Sequence, residues 1–303
     1  MLPIVFHPAY SVPLPAGHRF PMPKFKALHD VLEGLELVGS GNRFAPSLAP
    51  PSWLELVHTP AYVAHILNRT LPREAERRLG LPVSAELAER SRAACAGTLL
   101  AARLAMEHGL ACNTAGGSHH AFADAGAGFC VFNDVAVAAA VLLAEGSVRR
   151  VLVVDLDVHQ GDGTAELFRD DARVFTLSLH AESNFPARKK TSDLDVPLPR
   201  DLDDRGYLAA LDAALPPALD AFGPDLVFYN AGVDPHRDDR LGHLALTDAG
   251  LEARDRRVIE LVTRRGLPFV GVVGGGYDRD VERLALRHAT LHRSAAAAHA
   301  ALG

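Results

Sequence analysis

Asp155, Asp157 and His159 stand at alternate positions behind four apolar β-formers, Val151 to Val154. Gly161, Gly163 and a helix-like TAELF follow them. An apolar run of this kind reads as a strand buried on both faces of a parallel sheet. If extended geometry persists past it, residues 155, 157 and 159 share one face, because strand side chains alternate. One Asp at a strand end is commonly a turn former or a helix cap. Two carboxylates on one face repel each other, and a cation between them removes that cost. With the imidazole they form a set suited to a metal.

Three further segments place reactive groups beside glycines or a turn. AGGSHHAF carries His119 and His120, NAGVDP carries Asp234, and GVVGGGYDRD carries Tyr277. Each has an ordinary explanation on its own: loop histidines, an Asp-Pro turn, a packed ring. Each also follows a predicted strand, and ligands of open α/β sheets bind outside the carboxyl ends of the strands. The four segments therefore converge on one sheet edge.

That inventory suits metal-assisted hydrolysis. Two carboxylates and an imidazole leave coordination positions open for water and a carbonyl oxygen. Paired histidines can move the water's proton to a leaving group. A tyrosine hydroxyl can donate to an oxyanion, and further carboxylates can orient the histidines.

The elements that must position these groups are legible as an alternation. Strands are predicted at 2–6, 110–117, 151–154, 173–179, 226–230 and 269–273. Helices are predicted at 24–37, 60–67, 73–79, 84–107, 133–145, 164–168, 205–222, 247–265 and from 279 onward. Ser84 and Asn133 or Asp134 are expected caps, and Gly109 an expected stop. Segments 7–23, 45–52 and 181–204 read as loops or irregular chain. The alternation predicts one domain over 1–303 with a doubly wound, mainly parallel sheet.

Composition narrows the function. The chain has 31 Lys and Arg against 37 Asp and Glu, with no basic block, so direct nucleic-acid binding is not expected. Three cysteines without a CxxC pair and no export signal point to reduced thiols and a cytoplasmic location. No apolar run reaches membrane-span length.

GGSHHAFADAGAGFCVFND, DLDVHQGDG, TLSLH, AGVDP-HRDDRLGHLALT and GGGY occur in an order that resembles the zinc-dependent histone deacetylase superfamily, nearest its bacterial, class IV-like members. The resemblance runs from about His7 to Arg287. It implies an arginase/deacetylase-like α/β domain of three layers with an eight-stranded sheet. It implies Zn²⁺ held by Asp157, His159 and Asp234. His119 and His120 match the tandem histidines, with Asp155 and Asp162 as their partners, and Tyr277 matches the transition-state tyrosine. Gly128, Phe129 and Leu241 match the walls of the acyl-lysine tunnel. A structural potassium ion would use Asp155, Asp157, His159, Ser178 and the Leu179 backbone. Ser118 stands where many members have tryptophan, and Lys24 where many have an inner-cavity arginine.

The expected activity is removal of an acetyl or longer acyl group from an amine such as lysine Nε in a protein or peptide. An acylated polyamine or other small amine is the alternative substrate. A non-catalytic acyl-lysine-binding module is a remote alternative. The hard ligand set also admits Fe²⁺ in place of Zn²⁺.

Overall fold

Apolar runs fix the centre of the molecule. Val151–Asp155, Leu226–Asn230, Phe269–Val272 and Leu110–Asn113 are buried at every position, as strands covered on both faces must be. The computed structural model describes residues 1–302. Among them the strands are β1 (Ile4–Val5), β2 (Arg43–Phe44), β3 (Leu110–Asn113), β4 (Val151–Asp155), β5 (Val174–Ala181), β6 (Leu194–Leu198), β7 (Leu226–Asn230) and β8 (Phe269–Val272). They form one sheet in the order β2-β1-β3-β8-β7-β4-β5-β6, with every pairing parallel.

The principal helices are α1 (Lys24–Gly34), α2 (Pro51–Leu54), α3 (Pro60–Asn68), α4 (Arg73–Leu79), α5 (Ala85–His108), α6 (Asp134–Ala144), α7 (Asp162–Phe168), α8 (Asp204–Phe222), α9 (Asp248–Thr263) and α10 (Val281–Leu302). They flank the sheet in two groups, α5 packing on α6 and α10 on both α1 and α9. Local chemistry starts and stops them. Ser84, Asn133 and Thr247 accept from the main-chain N–H groups of Leu87, Ala136 and Gly250. Gly109 ends α5 at positive φ.

Three expectations need correction. The segment 181–204 contains β6, which pairs only with β5 at the sheet edge. Its sequence LDVPL is half-exposed and carries a proline that edges tolerate, so no apolar run announces it. The loop expected at 45–52 gives way at Pro51 to α2, and β2 at 43–44 lies in a stretch where no element is predicted; both are too short for periodicity to reveal. Extended geometry ends at Asp155, so residues 155, 157 and 159 do not alternate on one strand face.

Parallel pairing places all strand ends on one edge. Asp155 lies opposite Asn230, and Asn230 opposite Val272, so the segments after β4, β7 and β8 emerge side by side. The histidine segment leaves β3, which pairs with β8.

Candidate active site

The turn after β4 separates its three polar groups. Asp155, still in the strand, takes the main-chain N–H of Asp157 on Oδ1 at 3.1 Å and the Asn230 amide at 3.0 Å. Asp157 and His159 turn away from it toward Asp234, which follows β7. His159 Nδ1 lies 2.9 Å from Asp157 Oδ1 and 3.2 Å from Asp234 Oδ2. All three residues are buried.

Only glycine fits over this triad. A Cβ at Gly275 would collide with Asp234 Oδ2, and the Gly275 N–H donates to Asp157 Oδ2 at 2.6 Å.

Two buried carboxylates with one imidazole are electrostatically unbalanced. Burial and the neighbouring Asp157 push Asp234 up to about 7. Burial alone would also raise Asp157, but His119 and His159 hold it well below the usual range. Burial lowers His159, yet the hydrogen bond it donates to Asp157 and the adjacent Asp234 carboxylate lift it to about 10. The His159 Nδ1 hydrogen bond goes to Asp157, so Asp234 Oδ2, though 3.2 Å from the same nitrogen, has no hydrogen bond of its own, which is costly for a buried oxygen. Ligand atoms of the three residues lie within 4.8 Å of one another. The set therefore fits one divalent cation, which would displace the proton from His159 and occupy the free Asp234 oxygen.

Beside the triad are two histidine–carboxylate pairs. His119 Nδ1 is 2.6 Å from Asp155 Oδ2, and His120 Nδ1 is 2.6 Å from Asp162 Oδ1. The rings lie 4.0 Å apart between centroids, tilted at 48°, but titrate in opposite directions. Burial pulls His119 down, but Asp155 and Asp157 outweigh it and leave it at about 9. Burial and the charge on His119 lower His120 to about 4. The main chain behind them is pinned by Asp134, which takes the Ser118 N–H at 2.8 Å and the Thr98 hydroxyl at 2.6 Å.

A cavity of about 1080 Å³ opens onto His120, His159, Asp162 and Tyr277. Gly128, Phe129 and Leu241 are among the residues that line it. Gly128 has φ +53°, and a Cβ there would sit 2.5 Å from His120 Cδ2. A side chain at that position would press on the histidine. Tyr277 stands perpendicular to His159, 6.2 Å between centroids, and its N–H donates to Asp239 Oδ2 at 2.7 Å. Burial, with Asp157 and Asp234, holds its phenol well above the ordinary range, so it remains a donor.

A second, inner cavity of about 30 Å³ lies between Lys24, His119, Asp157, Gly275 and Tyr277. Lys24 donates to the carbonyls of Gly274 (3.0 Å) and Gly276 (3.4 Å), clasping the loop that presents Tyr277. Burial lowers its ammonium to about 8, against the pull of Asp234 and Asp157.

The residues expected to hold potassium are spread over the ends of two neighbouring strands. Ser178 is opposite Asp155 in the sheet register, and its Oγ is 3.0 Å from His180 Nδ1. Leu179 is buried in β5.

Sequence reading missed three contributors. Phe185 stands over His120, edge-on at 4.8 Å, and is 44% exposed, completing the wall beyond Phe129. It lies in irregular chain with no periodic signal. Asn230 holds Asp155; its signal was a polar residue closing the apolar run LVFY. Asp239 takes the Tyr277, Leu241 and Gly242 N–H groups, and nothing in HRDDR set it apart.

Comparisons with known proteins give a consistent result. A model described as "Histone deacetylase domain" matches residues 18–292. A protein of Picosynechococcus sp. described as uncharacterized is 51% identical over 97% of this chain and 98% of its own length. Histone deacetylase 2 of Arabidopsis thaliana is 36% identical over 62% of this chain, an alignment covering 49% of that protein. The crystal structure of the HDA15 HD domain superposes with a TM-score of 0.80 at 22% identity, covering 99% of this chain and 92% of that one. That likeness shows a shared arginase/deacetylase-type fold.

Proposed function

The chain belongs to the histone deacetylase family, and from that premise we propose that it is a metal-dependent hydrolase that removes an acetyl group from lysine Nε. The observation that carries this reading is the gathering of the buried Asp157–His159–Asp234 cluster and both histidine–carboxylate pairs at the base of a cavity that His120, His159, Asp162 and Tyr277 line. Asp157, His159 and Asp234 would hold Zn²⁺, or Fe²⁺ as the alternative ion. The ion supplies a Lewis acid for the carbonyl oxygen and lowers the pKa of water.

His120 is the proton carrier. Its bond to Asp162 keeps the Nδ1 proton on the carboxylate side and leaves Nε2 free to accept. Its depressed affinity for protons keeps it neutral near pH 7, as a general base requires. Having taken the water's proton, it returns one to the leaving amine. His119, cationic beside Asp155, stabilises negative charge and disfavours protonation of its neighbour. Tyr277 donates to the oxyanion. Gly128, Phe129 and Leu241, with Phe185, hold the lysine methylenes. Asp155, Asp157, His159, Ser178 and the Leu179 backbone are proposed to hold structural potassium, supported by the Asp155–Ser178 register.

The inner cavity has room for about two waters, which supports acetyl over long acyl chains. A panel of acyl-lysine peptides of increasing chain length, with acetylpolyamines alongside and metal content measured on the same sample, tests the proposal. Acetyl-lysine turnover that declines with chain length supports it. No hydrolysis of any member by metal-loaded protein refutes it and leaves a binding module.

Asp162→Asn isolates the proton carrier. It should lower kcat roughly 100-fold, the scale of positioned acid–base catalysis, with metal content retained. The carboxylate raises the proton affinity of His120, so its loss moves the acid limb of kcat/KM downward in pH, never upward. A pH profile on metal-replete protein, with metal assayed at each pH, reads both effects.

A further inference from the structure

The mouth of the cavity carries an unusual charge distribution. The whole chain has six more acidic than basic side chains, yet Arg19, Arg77, Arg78, Arg188, Lys190 and Arg240 all line this opening. The one carboxylate lining it, among the described residues, is Asp162, which is bonded to His120. Lys190 pairs with Glu166 at 3.2 Å. The five arginines are exposed, and no salt bridge within 4.0 Å involves any of them among the described residues. Arginines elsewhere commonly sit beside a carboxylate, as in Arg173–Asp171 at 2.6 Å and Arg257–Asp212 at 2.6 Å.

Folding does not account for the cluster. Arg77 and Arg78 lie in the last turn of α4, where a helix end favours cations. Arg19, Arg188 and Arg240 come from three separate loops with no helix end to serve. Four segments distant in sequence bring guanidinium groups without a carboxylate partner to one rim, Arg78 resting 5.4 Å from the Phe122 ring centroid, and self-repulsion opposes their gathering. Guanidinium forks match carboxylates in paired hydrogen bonds, and a rim of one sign attracts ligands of the other.

We propose that the protein selects acyl-lysines set in acidic sequence, with Asp and Glu side chains on either side of the lysine meeting the arginine rim. This rests on the deacetylase reading and names its substrate class. With the lysine in the cavity, neighbouring residues of the substrate lie across the mouth. A polycationic polyamine or a lysine-rich segment meets like charge there and is disfavoured.

Three acetyl-lysine peptides of equal length, flanked by Glu, Gln or Lys, test this with two readouts: kcat/KM, and Kd by fluorescence anisotropy on metal-loaded protein. At low salt the acidic peptide should have a kcat/KM at least about tenfold higher, and a Kd at least about tenfold lower, than the basic one, and the gap should close near 1 M salt, where the screening length is ~3 Å. R77E combined with R188E, checked for an unchanged melting transition, should erase or invert the ranking. Equal values for the three wild-type peptides, or preference for the basic one, overturn the proposal whatever the variant does. Displacement of the acidic peptide by a DNA duplex of matched charge at equal strength also overturns it, by showing a general polyanion surface. Ranking by flank in Kd without turnover keeps the rim and removes the deacetylase. Turnover indifferent to flank does the reverse.

Discussion

Asp157→Ala is expected to leave a protein with less than about a tenth of the wild-type metal and turnover reduced at least ~1,000-fold, because a ligand and the group it activates are lost together. Asp157 is fixed from three sides: the N–H of Gly275 at 2.6 Å, the N–H of His159 at 3.0 Å and the His159 ring at 2.9 Å. Alanine orphans all of these. Asp157→Asn keeps the volume while removing the charge, so it separates metal loss from collapse. Metal analysis and a melting curve on both variants decide the matter. Wild-type metal content in either variant would remove Asp157 from the ligand set.

Tyr277→Phe is expected to lower kcat by roughly 100- to 1,000-fold, the measured scale for deleting one oxyanion donor. Metal content should not change, since the substitution leaves Asp157, His159 and Asp234 in place. KM should move little, because the ring still packs near Phe20, Phe129 and His159. The main-chain bond to Asp239 and the Lys24 clasp on Gly274 and Gly276 are also untouched. A loss confined to KM would instead assign Tyr277 to substrate binding.

Sequence pattern reached the site because each reactive group closes an apolar run. VLVV ends in Asp155, LVFY in Asn230, and FVGV leads into the glycines before Tyr277. Parallel pairing then makes every such ending a neighbour. The division of labour among Asp155, Asp157 and His159 was not legible from alternation. It depends on the chain leaving extended geometry at Asp155 and on Asn230 reaching across from β7. The clasp of Lys24 on the glycine loop, as distinct from its inner-cavity position, and Phe185 were opaque for another reason. Their roles arise from contacts with Gly274, 250 positions away, and with His120, which local periodicity does not encode. β6 escaped because an edge strand with Asp195 and Pro197 needs no apolar alternation. The arginine rim is assembled from four segments and exists only in the folded chain.

The most direct test is a metal titration. Protein stripped with a chelator is titrated with Zn²⁺ while deacetylation of an acetyl-lysine peptide and bound metal are followed together. Activity absent from the stripped protein, rising in proportion to bound Zn²⁺ and levelling at one ion per chain, is the predicted result. Activity that survives complete stripping, or none after one equivalent is bound, would contradict the assignment of Asp157, His159 and Asp234 as the centre of a metal-dependent deacetylase.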